Sequence, residues 1–337
     1  MADMLTLYIL LLVVFLTAVL ATRASIAWAH HHNILDQPNH RSSHSRPTPR
    51  GGGIGIVAAC VVGIAGAVVL GFLPLHVGAA LACGLPIAVV GYVDDRRSLS
   101  ARSRLLVQIA CAAGALWLLA PVAPLTIFNL TLPAWLSIAI YLIGIVWMTN
   151  LYNFMDGIDG IAAGQAIAIG LCWAAIAGLM HAVAGIVFAL GAAGFLVFNR
   201  PPARVFMGDV GSAFCGFFIA VAALQMQQTT QHNLLLWLLP AAPFILDATV
   251  TLLVRVLRKQ RPSEAHRSHA YQILSRRAGG HGPVSLAYFL IAVFWFGAFL
   301  WFGYHSGNVV APEILFVIAG APFVIAALAL GAGRNNG

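Results

Sequence analysis

Residues 133–178, PAWLSIAIYLIGIVWMTNLYNFMDGIDGIAAGQAIAIGLCWAAIAG, show how this chain is built. Two apolar runs, at 133–150 and 160–178, are each close to the ~20 residues that a helix needs to cross a bilayer. Between them lies a short polar segment, 151–159, with two aspartates. This pattern predicts membrane-spanning helices whose charged groups gather at the helix ends.

The composition extends this pattern to the whole chain. Of 337 residues, 61% are hydrophobic and only 8% are charged, whereas a soluble domain carries about 25% charged residues. So much apolar surface cannot be buried in a soluble core, and the bilayer is the solvent it fits. The net charge of +8 then indicates loops beside anionic lipid and phosphate-bearing substrates, and we expect no nucleic-acid partner.

Eleven segments are apolar enough to be spanning helices, which predicts an all-α polytopic membrane protein. Their approximate ranges are 4–27, 51–72, 77–92, 104–121, 133–150, 160–178, 181–198, 211–225, 234–255, 284–303 and 311–331. The third and eighth segments are short, so the count falls to ten if one of them does not cross. We see no sequence repeat or long linker, and we expect a single transferase domain over residues 1–337.

The distribution of Lys and Arg predicts the orientation of these helices. With eleven spans, one side receives the C-terminal tail and the loops at 28–50, 93–103, 151–159, 199–210 and 256–283. All 18 Lys and Arg lie in these stretches or in the helix ends beside them. Because cytoplasmic loops collect Lys and Arg, we expect the N-terminus outside, the C-terminus in the cytoplasm, and the chemistry on the cytoplasmic face.

The adjacent carboxylates Asp94 and Asp95 follow the third span. Two neighbouring carboxylates repel each other unless a cation or a proton offsets their charge. Four arginines follow closely: Arg96, Arg97, Arg102 and Arg104. Carboxylates bind Mg²⁺ and arginines bind phosphate oxygens, so a metal or phosphate site is favoured over an ordinary helix end.

The segment NFMDGIDG carries Asn153, Asp156 and Asp159. In a helix, this spacing would spread the three side chains over an arc of about 120°. The alternative is a turn, because Asp followed by Gly is common turn chemistry.

Asp209 and the residues before it form the next candidate group. Asn199 and Asp209 flank NRPPARVFMGD, which contains Phe206, a ring that could stack on a base or simply pack. Asp209 could also be the cap of the following helix.

The last candidate group is the basic segment HRSHAYQ. Helical spacing would place His266 and His269 on one face with Arg267 nearby, which suits a diphosphate. The alternative is a positive loop with incidental histidines. Asp247 lies about 12 Å into the ninth span, and a carboxylate at that depth is usually functional.

Taken in order, these motifs resemble the bacterial polyprenyl-phosphate N-acetylhexosamine-1-phosphate transferases. The family includes phospho-MurNAc-pentapeptide translocase and the GlcNAc-1-phosphate transferases of surface-glycan synthesis. The motifs that carry the resemblance, over about residues 35–275, are SRPTPRGGG, the Asp pair with RLLVQ, NFMDGIDG, the Asn-x₉-Asp segment ending in FMGDVGS, and HRSHAYQ.

The resemblance implies a role for each candidate residue. The implied catalytic residues are Asp94, Asp95, Asp156, Asp159, His266 and His269. The implied substrate-binding residues are Arg46, Arg104, Asn153, Asn199, Phe206 and Arg267. The implied metal ligands are Asp209, Asp94 and Asp95, with Mg²⁺ as the ion and Mn²⁺ as the alternative.

The resemblance also implies the reaction and its place. A sugar 1-phosphate passes from a UDP-sugar to undecaprenyl phosphate, UMP leaves, and O-antigen or related surface-glycan synthesis begins at the bacterial inner membrane. The family's GlcNAc-type pattern has histidine at the first, third and fourth places of the histidine loop, where this chain has His266, Ser268 and His269. That form resembles the O-antigen initiating branch, which often handles deoxy-N-acetylhexosamines. A homodimer is left open, and the alternative function is a transporter of an anionic or lipid-linked substrate.

Overall fold

The computed structural model describes residues 4–32, 35–36, 47–260, 266–307 and 309–334, and these residues are mostly helical. The first helices are α1 (Met4–His31), α2 (Ile54–Val69), α3 (Leu75–Ala82), α4 (Leu85–Asp94), α5 (Ala101–Leu118), α6 (Ala134–Met155), α7 (Ile161–Ala177) and α8 (Val183–Asn199). The later ones are α9 (Asp209–Thr230), α10 (Leu234–Leu238), α11 (Ala242–Leu257), α12 (Ala270–Arg277), α13 (Gly282–Leu290), α14 (Gly297–His305) and α15 (Pro312–Leu330). The predicted all-α class is confirmed.

Every predicted apolar segment contains a helix. Within the described residues, seven helices or joined helices are long and apolar enough to cross a membrane. They are Met4–His31, Leu75–Asp94, Ala134–Met155, Asp209–Thr230, Leu234–Leu257, Gly282–His305 and Pro312–Leu330. The third and eighth predicted segments, which are short in the sequence, thus lie in helical stretches of 20 and 22 residues that are long enough to cross. The protein is an integral membrane protein, whereas the count of eleven and the orientation stay predictions.

Helix α9 is the centre of the bundle, because every residue from Val210 to Gln227 is buried. It packs against α4 and α6. A Cβ added at Gly91 of α4 would lie only 2.4 Å from the carbonyl oxygen of Asp209. Glycine therefore lets the end of α4 touch the start of α9, and this contact brings the carboxylates of two loops together.

Two short antiparallel ladders lie at opposite ends of the helices. Strand β1 (Leu35–Asp36) pairs with β2 (Thr48–Pro49), just before α2. Strand β3 (Thr126–Ile127) pairs with β4 (Leu130–Thr131) between the end of α5 and the start of α6. The first ladder leads into the candidate site, and the second lies on the face away from it.

Two segments for which helical spacing was considered are not continuous helices. Helix α6 ends at Met155, and the chain then turns until Gly160, whose φ of +78° favours glycine. Asn153 therefore lies on α6, whereas Asp156 and Asp159 lie in the turn that follows. Residue His269 is extended and caps α12, so His266 and His269 precede that helix rather than lie on it. Their rings are nevertheless neighbours, with centroids 4.9 Å apart.

Candidate active site

The paired carboxylates at the end of α4 point to different elements. Oδ2 of Asp94 lies 2.6 Å from Nη1 of Arg104 on α5, and its Oδ1 accepts the Leu99 amide at 2.6 Å. The carboxylate of Asp95 instead accepts the amides of Asp209 and Val210, at 3.0 and 3.3 Å. Asp95 thus satisfies free amides at the positive N-terminal end of α9, from a different helix.

Asp209 forms ion pairs with two arginines, Arg50 and Arg104. Its Oδ1 accepts from Nη2 of Arg50 at 2.9 Å, and its Oδ2 lies 3.5 Å from Nη1 of Arg104. Arg50 also reaches Oδ1 of Asp95 at 2.8 Å through its Nε. Asp95 caps α9, so the interpretation of Asp209 as the helix cap is wrong. Asp94, Asp95 and Asp209, which come from separate segments of the chain, thus meet through Arg50 and Arg104.

Arg50 reaches this site because its segment forms backbone contacts with the chain before α9. The amide of Phe206 donates to Pro49 at 2.8 Å, and the Gly52 amide donates to the carbonyl of Phe206 at 2.9 Å. A Cβ on Gly53 would lie 2.4 Å from the Cα of Gly211. This close approach explains the run of glycines after Arg50 and leaves the half-buried Phe206 beside it. Arg46 lies outside the described residues.

The turn after α6 adds a further carboxylate, Asp156. Burial raises the pKa of Asp156 well above its ordinary value; Arg50 opposes the shift, and the charges of Asp209, Asp95 and Asp159 add to it. Burial likewise raises the pKa of Asp95, although Arg50 opposes the shift. We use the name carboxylate cluster for four side chains: Asp94, Asp95, Asp156 and Asp209.

Asn153 lies at a small polar cavity next to the carboxylate cluster. Its Oδ1 accepts from the hydroxyl of Ser212 at 2.9 Å. The same cavity is lined by Arg104, Gln108 and Asn150. The amide nitrogen of Asn150 donates to Oε1 of Gln108 at 2.7 Å, which joins α5 to α6 across the cavity. A site residue from α6 and the arginine from α5 thus face the same space.

Asn199 and Asp159 hold the loops of the site in place. The buried Asn199 accepts the Gly160 amide at 2.9 Å and donates to the Val205 carbonyl at 2.9 Å. The carboxylate of Asp159 accepts the Ala203 amide at 3.0 Å and lies 3.2 Å from Nδ1 of His281. The hydrogen bonds of Asn199 and the Asp159–Ala203 hydrogen bond tie the turn after α6 to the segment before α9. These two residues therefore position the backbone of the site.

The histidine loop is held by Asp247, whose carboxylate is fully buried. Its two oxygens accept the amides of Ala270 and Tyr271, at 2.8 and 3.0 Å, and the hydroxyl of Tyr288 at 2.7 Å. Nδ1 of His269 lies 3.6 Å away. Asp247 therefore fixes the start of α12 from within a spanning helix, a role that the depth of Asp247 alone did not reveal.

One hydrogen bond places this loop next to the turn after α6, and a second contact lies within the loop. The hydroxyl of the buried Tyr271 donates to the carbonyl of Phe154 at 2.9 Å. Nδ1 of His266 lies 3.0 Å from the hydroxyl of Ser268. Burial and the nearby charges of His269 and Arg255 lower the pKa of His266 to about 4, so this imidazole is neutral at neutral pH.

Arg267 lies in the same loop, half-buried, and its carbonyl accepts from Arg276 at 3.0 Å.

Arg50 is the residue of this site that sequence reasoning missed. It ends the quoted motif SRPTPRGGG, but the motif does not show which of its arginines reaches the aspartates. The signal that could have found it is the three glycines that follow, because a run of glycine beside a charge indicates a close backbone approach.

The carboxylate cluster suits a divalent cation in its chemistry. The carboxylate cluster sets four carboxyl groups against two guanidinium groups, those of Arg50 and Arg104, and the raised pKa of Asp156 shows that its charged form is disfavoured without a further cation. Carboxylate oxygens are the ligands that Mg²⁺ takes in proteins. In the part of the chain that is described, no three acidic, histidine or cysteine side chains already form a metal centre, and the guanidinium groups stand between the carboxylates. The donor set therefore fits Mg²⁺ if the arginines turn to another anion.

The fold and the site define an integral membrane protein with acidic and basic side chains concentrated at one end of its helices. Residues 77–227 match Glycosyl transferase family 4. The decaprenyl-phosphate N-acetylglucosaminephosphotransferase of Mycolicibacterium smegmatis is 30% identical in an alignment that covers 86% of this chain and 81% of that protein. The chain belongs to glycosyl transferase family 4 and is an enzyme, a transferase.

Two other relatives agree with this assignment. The undecaprenyl-phosphate alpha-N-acetylglucosaminyl 1-phosphate transferase of Thermotoga maritima is 27% identical, over 79% of each chain. The phospho-N-acetylmuramoyl-pentapeptide-transferase of Trichormus variabilis is 37% identical over 52% of this chain and 53% of that one. The resemblance to polyprenyl-phosphate sugar-phosphate transferases is confirmed, and the transporter alternative is set aside.

Proposed function

We propose that this enzyme transfers an N-acetylhexosamine 1-phosphate, or its deoxy form, from a UDP-sugar to undecaprenyl phosphate and so starts surface-glycan synthesis. The relatives named above act on polyprenyl phosphates and N-acetylated sugars, as their names state. The observation that carries the proposal is the pairing of Arg50 and Arg104 with the carboxylate cluster at the end of an apolar bundle. Such a site suits a substrate that has a charged phosphate and a lipid tail.

The proposed reaction is a single displacement. A phosphate oxygen of undecaprenyl phosphate forms a bond to the β-phosphorus, and the bond from that phosphorus to the bridging oxygen breaks. UMP leaves with the electron pair of the broken bond. A phosphate monoester has a second pKa near 6 and is largely dianionic at neutral pH, so the attack needs no strong general base. A covalent aspartyl intermediate is the alternative.

The side chains of the site divide the work of binding. Arg50 and Arg104 would turn from the carboxylates to the phosphate oxygens, which guanidinium groups bind in bidentate fashion. Asp94, Asp95 and Asp209 would hold Mg²⁺, or Mn²⁺ in its place. The bound ion would offset the charge of the diphosphate and of the leaving UMP. The charge count supports this exchange, because freeing the carboxylates from the arginines leaves them in need of another cation.

The remaining groups are proposed to hold the donor. Asn153, Asp156 and Asp159 would line the nucleotide and metal region, with Phe206 near the uracil. His266, Arg267 and His269 would contact the diphosphate or the sugar. The neutral state of His266 suits it to donate one hydrogen bond rather than to carry a charge.

We also propose that the site faces the cytoplasm. The one-sided distribution of Lys and Arg supports this orientation. Single cysteines placed in residues 93–103 are expected to resist an impermeant thiol reagent in intact cells and to react after lysis. Strong labelling before lysis would show that the orientation is inverted.

The proposed reaction is tested with purified enzyme, undecaprenyl phosphate and a panel of UDP-N-acetylhexosamines. We expect UMP release with at least one sugar, accompanied by a new lipid-linked sugar diphosphate in the organic phase. Chelation with EDTA is expected to abolish release because the carboxylate cluster loses its cation, and added Mg²⁺ is expected to restore it.

The control for this assay is the same mixture without undecaprenyl phosphate, which separates transfer from hydrolysis of the donor. Turnover that persists after thorough chelation would overturn the metal assignment alone. Absence of a lipid product with every UDP-sugar of the panel would overturn the proposed function.

A further inference from the structure

We propose that Gly333, in the segment that follows α15, is a positioning residue for His266. It acts through Ser268 and leaves the Nε2–H of His266 as the hydrogen-bond donor toward the UDP-sugar. This segment, residues 331–334, lies outside every motif from which the site was predicted. The part of the proposal that concerns the UDP-sugar rests on the proposed function, in which His266 contacts the diphosphate or the sugar.

The segment after α15 is buried, whereas most of α15 itself faces outward. Gly331, Ala332 and Gly333 are all buried, and Ala332 forms a small apolar cluster with Ala327 and with Ala270 at the start of α12. The chain can turn there because the φ of Gly331 is +91°, in the left-handed region that favours glycine. This turn ends α15 and brings the next two residues to the histidine loop.

Gly333 lies between α11 and the histidine loop. Its amide donates to the carbonyl of Ser268 at 2.9 Å. A Cβ at this position would lie 2.7 Å from the carbonyl oxygen of Thr251 and 2.7 Å from the Cβ of Val254, both on α11. Its φ of +74° also favours glycine. The available space and the backbone conformation therefore both require glycine here, and glycine lets the amide reach Ser268.

Ser268 connects this contact to the ring of His266. Ser268 is only 5% exposed. Its hydroxyl lies 3.0 Å from Nδ1 of His266, and its backbone amide donates to the same nitrogen at 3.4 Å. Because a backbone amide can only donate, Nδ1 is the acceptor, and the one ring proton of the neutral imidazole is then on Nε2. Among the residues that the structure describes, none accepts a hydrogen bond from this Nε2.

A fixed tautomer gives His266 a defined role toward the donor. The phosphate and hydroxyl oxygens of a UDP-sugar accept hydrogen bonds, so the free Nε2–H has the polarity that they need. If Gly333 no longer held Ser268, the imidazole could rotate or carry its proton on Nδ1. An unprotonated nitrogen would then face a phosphate oxygen, and two acceptors repel each other. Binding of the UDP-sugar should therefore weaken, while binding of undecaprenyl phosphate should not.

The first test compares Gly333→Ala with Gly71→Ala in the full-length enzyme. We expect Gly333→Ala to lower kcat/KM for the UDP-sugar ~10-fold by raising its KM, with an unchanged KM for undecaprenyl phosphate. Gly71→Ala is the matched control, because the φ of Gly71 is +78° and no described atom lies within 4 Å of the added Cβ. It carries the same backbone strain and should keep both KM values. A mere loss of folded enzyme would lower kcat and leave both KM values unchanged.

The second test reads the tautomer without any substrate, so its result does not depend on the proposed function. The ¹⁵N chemical shifts of the His266 ring, assigned by comparison with the His266→Gln protein, distinguish a protonated nitrogen from an unprotonated one. We expect unprotonated Nδ1 and protonated Nε2 in the parent enzyme. In Gly333→Ala the two shifts should move toward each other as the tautomers exchange. Ser268→Ala removes only the hydroxyl, should cause the same change, and serves in place of Gly333→Ala if that variant does not fold.

The two tests separate the proposal from the proposed function. A protonated Nδ1 in the parent enzyme would overturn the proposal. So would a Gly333→Ala protein that matches Gly71→Ala in the ring signals of His266 or, where turnover is observed, in KM for the UDP-sugar. Changed His266 signals in an enzyme that forms no lipid product from any UDP-sugar would support the positioning role and overturn the proposed function alone.

Discussion

Replacement of Asp209 by asparagine is expected to lower UMP release about 10²–10³-fold while the protein stays folded and inserted in the membrane. The two side chains have nearly the same size, so packing changes little. Helix α9 keeps its cap, because the amides of Asp209 and Val210 donate to Asp95. What is lost is one full negative charge in the carboxylate cluster, and ~3–4 kcal/mol of transition-state stabilisation corresponds to the expected decrease.

The matched control for Asp209→Asn is Glu313→Gln, which also removes one largely buried carboxylate but on the far face of the bundle. UMP release and thermal unfolding are measured for both variants, with Mg²⁺ varied in each assay. If Asp209 is a metal ligand, the Asp209→Asn variant should need a higher Mg²⁺ concentration for half of its maximal activity than the parent enzyme needs. Near-normal turnover of a stable Asp209→Asn protein at low Mg²⁺ would show that Asp209 serves only as an ion-pair partner of Arg50 and Arg104.

The spans could be predicted from sequence because a bilayer imposes a simple rule on a chain. Each crossing helix needs a long apolar run, and every such run of this chain contains a helix. The breaks inside spans were harder to predict. The span Leu75–Asp94 changes helix near Gly84 and the following Pro86, since proline lacks the amide that would continue the helix.

The acidic side chains that meet at the site could be predicted from the sequence, but Arg50 and the contacts could not. Charges are scarce in this chain, so each one at a helix end was a candidate, and Asp94, Asp95 and Asp209 do meet. The sequence did not show that Asp95 caps α9 or that Arg50 lies between two aspartates. The contact of Asp95 depends on the close approach of α4 to α9, which Gly91 allows, and that of Arg50 depends on the close approach of Gly53 to Gly211.

The same limit explains Asp247, which was conspicuous in the sequence but had no predicted partner. Its partners Ala270, Tyr271 and Tyr288 lie 23, 24 and 41 residues further along the chain. They come from two helices that follow the span of Asp247. An intramembrane carboxylate therefore indicated a buried polar network, but only the packing shows that the network holds the histidine loop.

Substitution of Asp247 by asparagine is expected to lower kcat/KM for the UDP-sugar about 10- to 100-fold and to lower the thermal unfolding temperature. Oδ1 of the carboxylate accepts from the Ala270 amide and the Thr251 hydroxyl, and Oδ2 accepts from Tyr271 and Tyr288. In asparagine an NH₂ group replaces one of these oxygens, so the two groups that donated to that oxygen would face another donor. Each buried group left unpaired costs about 1–3 kcal/mol, so the start of α12 should loosen and the histidines should lose their position.

Tyr288→Phe is the matched control, since it removes a single hydrogen bond to Asp247, of 2.7 Å, and keeps the ring. It should lower kcat/KM less than Asp247→Asn does, by about 5-fold. Hydrogen exchange of residues 266–277 separates positioning from general instability. A positioning role predicts faster exchange there at a temperature where α7 and α8 remain protected. If Asp247→Asn keeps full activity and slow exchange in the histidine loop, Asp247 does not position that loop. If α7 and α8 lose protection equally, the carboxylate stabilises the whole bundle instead.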